Sequence, residues 1–191
     1  HGQAEHGGCY DHVANFLAEN GLAVWRWDLY GHGKSEGKRG HVATFADYVQ
    51  DFLQIQSYVQ SQSPSGLPIG VLGHSMGGLI QTRALIEHTD LQLRLKFQVL
   101  SSPLFGLAVR VPFWKDRAAR WMSQLAPGLT MGNEIKFEML THDPEILSQY
   151  PKDPLRHDQV AATVYMGMLE SFELLNKRAN LIRLPTLLQQ A

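Results

Sequence analysis

The sequence predicts an α/β fold in which a parallel sheet is flanked by helices and interrupted by an inserted helical cap. Three observations lead to this prediction. Helical and strand-like segments alternate over residues 9–101, residues 103–180 replace the alternation with helical, proline-rich sequence, and a strand-like segment returns at 184–189. We therefore divide the chain into a core at 1–102, a cap at 103–180 and a resumed core at 181–191.

The core helices are predicted from apolar residues that recur every three or four positions. The clearest series is Phe45, Tyr48, Val49 and Phe52, preceded by Thr44, which is a favourable helix N-cap. Helices commonly end at Asn-Gly pairs, such as the one at 20–21. The predicted helices, in chain order, cover residues 9–20, 44–62 and 76–88.

Strands are predicted from short apolar runs bounded by turn residues. These runs cover residues 22–28, 68–73, 95–101 and 184–189. A glycine-rich polar loop at 30–41 separates the first run from the second helix. Chemistry in parallel α/β sheets occurs at the carboxyl ends of the strands, so residues that directly follow strands are the first candidates for a site.

Composition excludes several classes of function. The chain has 191 residues, of which 44% are hydrophobic and 18% charged, and this suits one globular domain with an insertion. Lys and Arg number 17 against 18 Asp and Glu, without long basic runs, which argues against nucleic-acid binding. No apolar run reaches the ~18 residues of a membrane span. The single cysteine, Cys9, cannot form a disulfide within the chain.

The ends of the chain are unusual for a natural protein. It begins at His1, without an initiator methionine or a secretory signal. We therefore expect a fragment cut at both ends. The lone cysteine and the lack of a signal favour a cytoplasmic location, with membrane association as a further candidate.

The candidate nucleophile is Ser75. Residues 73–77, Gly-His-Ser-Met-Gly, match the G-x-S-x-G pattern in which a strand turns sharply into a helix and exposes a serine. Residues 33–37 match the same pattern around Ser35. Ser75 directly follows an apolar strand and precedes a helix, whereas Ser35 lies inside a polar loop. We predict that Ser75 is the nucleophile and that Ser35 is a turn residue.

Four motifs occur in order along the chain: HGxxEH at 1–6, DxxGHGxSxGxRGH at 28–41, FxxYxxD at 45–51 and GHSMGG at 73–78. Together they resemble the monoacylglycerol lipase and lysophospholipase group of α/β-hydrolases, also labelled serine aminopeptidase-like hydrolases. The resemblance continues through the cap. It implies an α/β-hydrolase fold, incomplete here at both ends, and a carboxylic ester hydrolase acting on monoacylglycerol- or lysophospholipid-like substrates.

Acyl transfer requires N–H donors that stabilise the tetrahedral oxyanion. In α/β-hydrolases one donor is the backbone N–H that follows the nucleophile, here that of Met76. The resemblance implies that the second donor follows the glycine of the HG segment, which is the backbone N–H of Gln3. The Gln3 side chain is larger than is usual in that family, and two outcomes stay open: it crowds the site or hydrogen-bonds within it.

The expected order of the triad is Ser, then Asp or Glu, then His. The histidines that follow Ser75 are His88, His142 and His157. Asp116 with His142 or His157, and Asp153 with His157, obey this order, but we expect none of them to serve. The resemblance implies an acid just after residues 184–189 and a histidine later still. We therefore place both beyond Ala191 and expect the 191-residue chain to be inactive by itself.

The cap suggests where a substrate binds. Residues 104–114 are apolar and are followed by Lys115, Arg117 and Arg120, so this segment lines an acyl channel, contacts a membrane surface, or packs on the core. A second, methionine-containing cap helix is predicted around residues 160–175. The candidate substrate-binding residues are His74, Leu104 and Phe105. Glu5, His6, Arg39 and His41 either join loops or contact a polar head group.

Neither a metal nor a cofactor is predicted. No Cys and His residues have the spacing of a zinc site, and no phosphate-binding glycine motif occurs. We expect a lipid ester as the small-molecule partner and make no prediction of the oligomeric state. Two alternatives to the ester hydrolase stay open: a peptidase or other acyl-transfer enzyme on the same fold, and a catalytically inactive truncated domain.

Overall fold

The main sheet consists of three parallel strands. A computed structural model describes residues 1–107, 117, 121–132 and 140–190 of the chain. The sheet has the order β1-β2-β5, and its strands are β1 (Gly70–His74), β2 (Phe97–Ser101) and β5 (Thr186–Gln189). Both pairings are parallel, as predicted, and the return of the chain to the sheet after the cap is confirmed.

Three α-helices belong to the core: α1 (Asp11–Glu19), α2 (Phe45–Gln62) and α3 (Met76–Glu87). A short 3₁₀ helix, Gly7–Tyr10, leads into α1. α2 begins with a capping box, in which the Thr44 side chain accepts a backbone N–H and the Asp47 carboxylate accepts the Thr44 N–H at 2.9 Å. Its predicted apolar stripe is buried, and α3 packs against it. The three predicted helices are confirmed.

Residues 22–28 do not form the predicted strand. No ladder pairs this segment with another strand in the described part of the chain, and Leu22, Val24 and Trp25 are exposed. The Trp25 ring instead meets the Tyr58 ring of α2 edge-on, with centroids 5.6 Å apart. Aromatic and branched residues favour an extended backbone, but a strand also requires a neighbour with which to exchange hydrogen bonds. Sequence patterning does not reveal that neighbour.

The cap contains a small sheet as well as helices. Strand β3 (Thr130–Gly132) pairs antiparallel with β4 (Gln159–Ala161), apart from the main sheet. The cap helices include α4 (Pro144–Gln149) and α5 (Ala162–Arg178), and α5 is the predicted second cap helix. The sequence analysis predicted helices in the cap but did not predict this strand pair. Strands of three residues are too short for alternation of apolar and polar residues to distinguish them from loops.

Part of the predicted lid lies outside the described residues. This applies to residues 108–116, 118–120 and 133–139, and therefore to Lys115 and Arg120. Arg117 is described and is exposed. Among the described helices, none combines the length and the hydropathy required to cross a bilayer.

Helix α5 joins the cap to the core. Its residues Val164 and Phe172 are buried in the same apolar cluster as Phe45 of α2. Gly167 permits the close approach of the two helices, since a Cβ at this position would lie 2.1 Å from the Cβ of Phe45. The cap is therefore packed into the core through one helix and does not simply rest on its surface.

We expect Gly167→Ala to lower the free energy of unfolding by about 1–3 kcal/mol, as overpacking of a core does. The clash with Phe45 should exceed the gain in helix propensity, which is at most about 1 kcal/mol. Urea denaturation of the intact protein measures the difference. Gly106→Ala is the control, because a Cβ there meets no atom within 4 Å. Equal free energies of unfolding for the two variants would contradict this prediction, because α5 could then move away from α2 without a loss of stability.

Candidate active site

Ser75 lies at a sharp turn between β1 and α3. Its backbone has φ 48° and ψ −119°, a left-handed conformation that costs a non-glycine residue about 1–3 kcal/mol. The turn presses Gly73 against Gly78, so that a Cβ on Gly73 would lie 2.8 Å from the Cα of Gly78. Glycine is therefore required on both sides of the serine. This is the strand–turn–helix geometry in which G-x-S-x-G presents a nucleophile.

Backbone hydrogen bonds hold this turn in place. The Ser75 N–H donates to the Ser101 carbonyl at the end of β2 over 3.1 Å, and the Ser75 carbonyl accepts the Leu104 N–H at 3.0 Å. The side chain of Ser75 is half-buried. Within the described residues its hydroxyl has no hydrogen-bond partner. Main-chain hydrogen bonds thus help to fix the turn and leave the Ser75 hydroxyl out of that support.

The first six residues form a loop packed against Ser75. A Cβ on Gly2 would lie 3.1 Å from the Cβ of Ser75, so the loop backbone approaches Ser75 about as closely as glycine permits. Glu5 Oε2 accepts the Gly2 N–H at 3.0 Å and the Tyr10 hydroxyl at 2.6 Å. Glu5, which belongs to this loop, therefore helps to hold the loop backbone beside Ser75.

The Gln3 side chain is turned towards the cap. Its Nε2 donates to the Gln159 carbonyl of β4 over 2.8 Å. Of the two outcomes left open by its size, the side chain therefore forms a hydrogen bond. The next residue, Ala4, is buried and has φ 66°. The backbone N–H groups of Gln3 and Met76 have no acceptor within the described ranges. These are the two groups predicted as oxyanion donors, and both belong to segments in contact with Ser75.

Ser35 occupies the polar loop and contacts Asp28. Its Oγ donates to the Asp28 carbonyl over 2.6 Å. The Asp28 carboxylate accepts the N–H groups of Gly7 at 2.6 Å and Lys34 at 2.7 Å. Asp28 thus joins the segment after the first loop to the glycine-rich loop. Asp28 begins the motif at 28–41, but the motif pattern does not indicate this contact.

The three candidate substrate-binding residues flank the turn. His74 Nδ1 is 3.3 Å from Ser101 Oγ, and its ring centroid is 5.9 Å from that of Tyr10. Leu104 packs on the core and holds the Ser75 carbonyl through its N–H. Phe105 is 37% exposed. His74 precedes Ser75 in the chain, the Leu104 N–H is hydrogen-bonded to the Ser75 carbonyl, and Phe105 follows Leu104.

None of the later histidines is hydrogen-bonded to Ser75 in the part of the chain that the structure describes. His88 caps the end of α3, and His142 lies beside the N-cap of α4. His157 packs on His32, with ring centroids 4.7 Å apart, and its Nδ1 accepts the Gln159 N–H. Of the aspartates considered with them, Asp116 lies outside the described residues and Asp153 pairs with His6.

His32, which is buried, and His157, which is half-buried, pack together between the glycine-rich loop and the cap. Burial lowers the pKa of His32 to about 4 against the opposing effect of its hydrogen bond to Tyr30, and His157 and Arg39 add to the lowering. Burial, followed by Arg39, also lowers the pKa of His157. Both imidazoles are therefore neutral near pH 7.

His6 and Asp153 are joined by a hydrogen bond between the first loop and the cap, with 2.8 Å between Nε2 and Oδ2. Burial acts to raise the pKa of Asp153, but hydrogen bonds from His6 and the Leu155 N–H hold it below its usual value. Sequence order permits a pair of Asp153 with His157, which we did not expect to serve in a triad. The true partner lies 147 residues away, so no local signal indicated it.

Cys9 completes a group of three potential metal ligands with His6 and Asp153, all within 4.8 Å of one another. Burial raises the pKa of the Cys9 thiol and disfavours the thiolate that binds metals. The Asp153 carboxylate is also 3.6 Å from the Arg156 guanidinium. The group therefore fits an ion-pair network better than a metal site. Residue spacing alone did not reveal it.

A parallel sheet, a serine at the strand-to-helix turn and a cap inserted after β2 together define an α/β-hydrolase. A family model described as "Serine aminopeptidase, S33" matches residues 1–191, and the chain belongs to this family. The monoacylglycerol lipase of Mycolicibacterium smegmatis is 32% identical over 188 residues, which cover 98% of this chain and 65% of that protein.

Two further proteins are similar over most of the chain. Phospholipase YtpA of Bacillus subtilis is 27% identical over 173 residues, which cover 91% of this chain and 65% of that protein. The crystal structure of the Paleococcus ferrophilus monoacylglycerol lipase matches with a TM-score of 0.87 at 30% identity, covering 98% of this chain and 69% of that one. The chain thus spans about two thirds of the length of these relatives.

Acid should destabilise the protein through His32. The pKa of His32 is about 4 in the folded protein and 6.5 without the effects of the fold. Between these two pH values the unfolded chain therefore binds more protons than the folded protein. The free energy of unfolding should therefore decrease as the pH falls through this window, by on the order of 3 kcal/mol. Thermal unfolding of the intact protein from pH 7 to pH 4 measures this loss.

His32→Gln should weaken this pH dependence, and His12→Gln should retain it, since His12 is exposed on α1. His157 contributes a change of the same sign, so a residual slope is expected in the first variant. Identical slopes for His32→Gln and the wild type would contradict the assignment.

Proposed function

We propose that the protein is a serine hydrolase of carboxylic esters. Ser75 Oγ forms a bond to the acyl carbon, the alcohol leaves with a proton, and water then hydrolyses the acyl-enzyme. The strained backbone of Ser75 carries the proposal, because such strain persists only where the surroundings impose it and is concentrated at functional sites. The proposal assigns the acid and base of the triad to no residue within 1–190.

The proposed oxyanion hole consists of the backbone N–H groups of Met76 and Gln3. Met76 opens α3, whose N-terminus carries a positive partial charge that favours a developing anion. Gln3 lies in the loop that approaches Ser75 through Gly2. Removal of one such donor in a hydrolase typically lowers the rate by about 10²–10³-fold.

The proposed substrates are monoacylglycerol- or lysophospholipid-like esters. The monoacylglycerol lipase of M. smegmatis and the phospholipase of B. subtilis support this class. His74, Leu104 and Phe105 are the proposed substrate contacts: an imidazole beside the serine and two apolar side chains at the start of the cap. An acyl chain requires such an apolar path with few polar groups.

We also propose that the cap makes peripheral contact with membranes. Its described part exposes a group of large apolar side chains: Trp121, Leu125, Leu129 and Met131. Lys38 lies beside this group, since its Nζ donates to the Gly128 carbonyl. Apolar side chains bordered by basic groups are typical of surfaces that rest on anionic lipid.

Ser75→Ala should lower kcat for ester hydrolysis by at least about 10⁴-fold, because no acyl-enzyme can form. The measurement uses p-nitrophenyl esters of graded chain length with the intact protein, together with labelling by a fluorophosphonate probe. Ser35→Ala is the control and should retain both labelling and activity. Absence of labelling in the wild type would contradict the proposal, and cleavage of aminopeptidase substrates without ester hydrolysis would favour the peptidase alternative.

The combined change Trp121→Ser and Leu125→Ser should weaken binding to anionic phospholipid vesicles by about tenfold or more, since each side chain contributes about 1.5–3 kcal/mol when buried in lipid. Vesicle co-sedimentation measures binding, and hydrolysis of a short soluble ester should be unchanged. Leu93→Ser is the matched control, because Leu93 is more exposed, at 85%, but lies after α3 and outside the cap. Equal binding of all three proteins would overturn the membrane proposal.

A further inference from the structure

One segment of the cap contacts four consecutive residues of the loop beside Ser75. We name this segment, residues 153–159, the cap clamp. Successive residues of the clamp contact the residues of the loop in reverse order. The four contacts are Asp153 with His6 at 2.8 Å, Arg156 with Glu5 at 4.0 Å, the His157 N–H with the Ala4 carbonyl at 3.4 Å, and the Gln159 carbonyl with Gln3 Nε2 at 2.8 Å.

The hydrogen-bonded pair of His6 and Asp153, at the start of the clamp, is held by several further contacts. Asp153 Oδ1 accepts the Leu155 N–H at 3.0 Å, while Oδ2 faces both His6 and the Arg156 Nε. The Arg156 guanidinium also stacks on the Tyr150 ring, 3.5 Å from its centroid. His6 is buried, and its Nδ1 accepts the Gly8 N–H. Neither partner of the pair can turn away without losing a second bond.

The clamp acts on the residues that orient the proposed oxyanion donor. The direction of the Gln3 N–H depends on the Gly2–Gln3 peptide plane. Glu5 holds the N–H of Gly2, the residue before this peptide bond, while Gln159 holds the side chain of Gln3, the residue after it. The Glu5 carboxylate is in turn faced by Arg156 of the clamp.

The strain at Ala4 explains why such support is required. Its φ of 66° is unfavourable for any residue with a Cβ and costs about 1–2 kcal/mol. A free loop would relax from this conformation and rotate the adjacent Gln3 peptide. The N–H of His157 holds the Ala4 carbonyl, and the pair of His6 with Asp153 anchors the end of the loop.

We propose that the cap clamp is a positioning element for catalysis, in which Asp153 acts through His6 and the loop to hold the Gln3 N–H towards the oxyanion. This inference rests on the proposed function. The cap thereby contributes to stabilising the transition state in addition to covering the substrate. Asp153 is a positioning residue, since it acts on the reacting atoms only through other groups.

Asp153→Ala in the intact protein tests this role. We expect kcat to fall by about 10–100-fold while KM changes by less than about threefold, because displacement of a positioned group by 1 Å can cost about 10²-fold. Asp153→Asn, which keeps a hydrogen-bond acceptor for His6, should recover most of the activity. Asp143→Ala is the matched control: it removes the N-cap of α4 elsewhere in the cap and should leave kcat within about twofold.

Affinity for a trifluoromethyl ketone separates positioning from general loss of structure. The ketone forms a hemiketal with Ser75 that bears an oxyanion, so its inhibition constant should rise by the same factor by which kcat falls. Affinity for the alcohol product, which carries no oxyanion, should stay unchanged. Arg156→Gln, which breaks the contact with Glu5 instead, should show the same pattern and serves if Asp153→Ala does not fold.

Three outcomes distinguish the two proposals. A parallel loss of kcat and ketone affinity in the clamp variants, absent from Asp143→Ala, supports the clamp. An active wild type whose clamp variants behave like Asp143→Ala overturns the clamp alone. A wild type that neither hydrolyses esters nor binds the ketone overturns the proposed function, and the clamp with it.

Discussion

The left-handed backbone at Ser75 is the constraint on which the rest of the site depends. A serine with φ 48° is unfavourable by itself, so its neighbours must compensate for the strain. Gly73 and Gly78 allow β1 and α3 to approach each other, and the register of β1 with β2 places the Ser101 carbonyl opposite the Ser75 N–H. Helix α3, almost wholly buried, fixes the direction in which the chain leaves the turn.

Three carboxylates organise the loops around this turn. Irregular segments have no ladder in which to pair their backbone N–H groups, so side-chain acceptors must do so. Glu5 accepts from Gly2, Asp28 from Gly7 and Lys34, and Asp153 from Leu155. Each carboxylate also reaches a second element or another side chain. The first loop, the glycine-rich loop and the cap are therefore joined by charged groups, whereas α5 joins the cap to the core by apolar packing.

Much of the fold could be predicted from local patterns, and the failures share one cause. The capping box at Thr44, the apolar stripe of α2 and the short runs that became β1, β2 and β5 each carry their signal within a few residues. Residues 22–28 have strand-like composition but pair with no strand in the described chain, and β3 and β4 are too short to show alternation. Whether a segment becomes a strand depends on a neighbour, which local composition does not specify.

The sequence by itself determined that Ser75 lies at a strained strand-to-helix turn, because glycine sterics and hydrophobic periodicity act over a few adjacent residues. It also distinguished Ser75 from Ser35, since only the former is flanked by a strand and a helix. The tertiary structure alone decided that Gln3 faces the cap, that Ala4 is strained and that Asp153 pairs with His6, 147 residues away. Such contacts depend on the path of the chain through the whole fold.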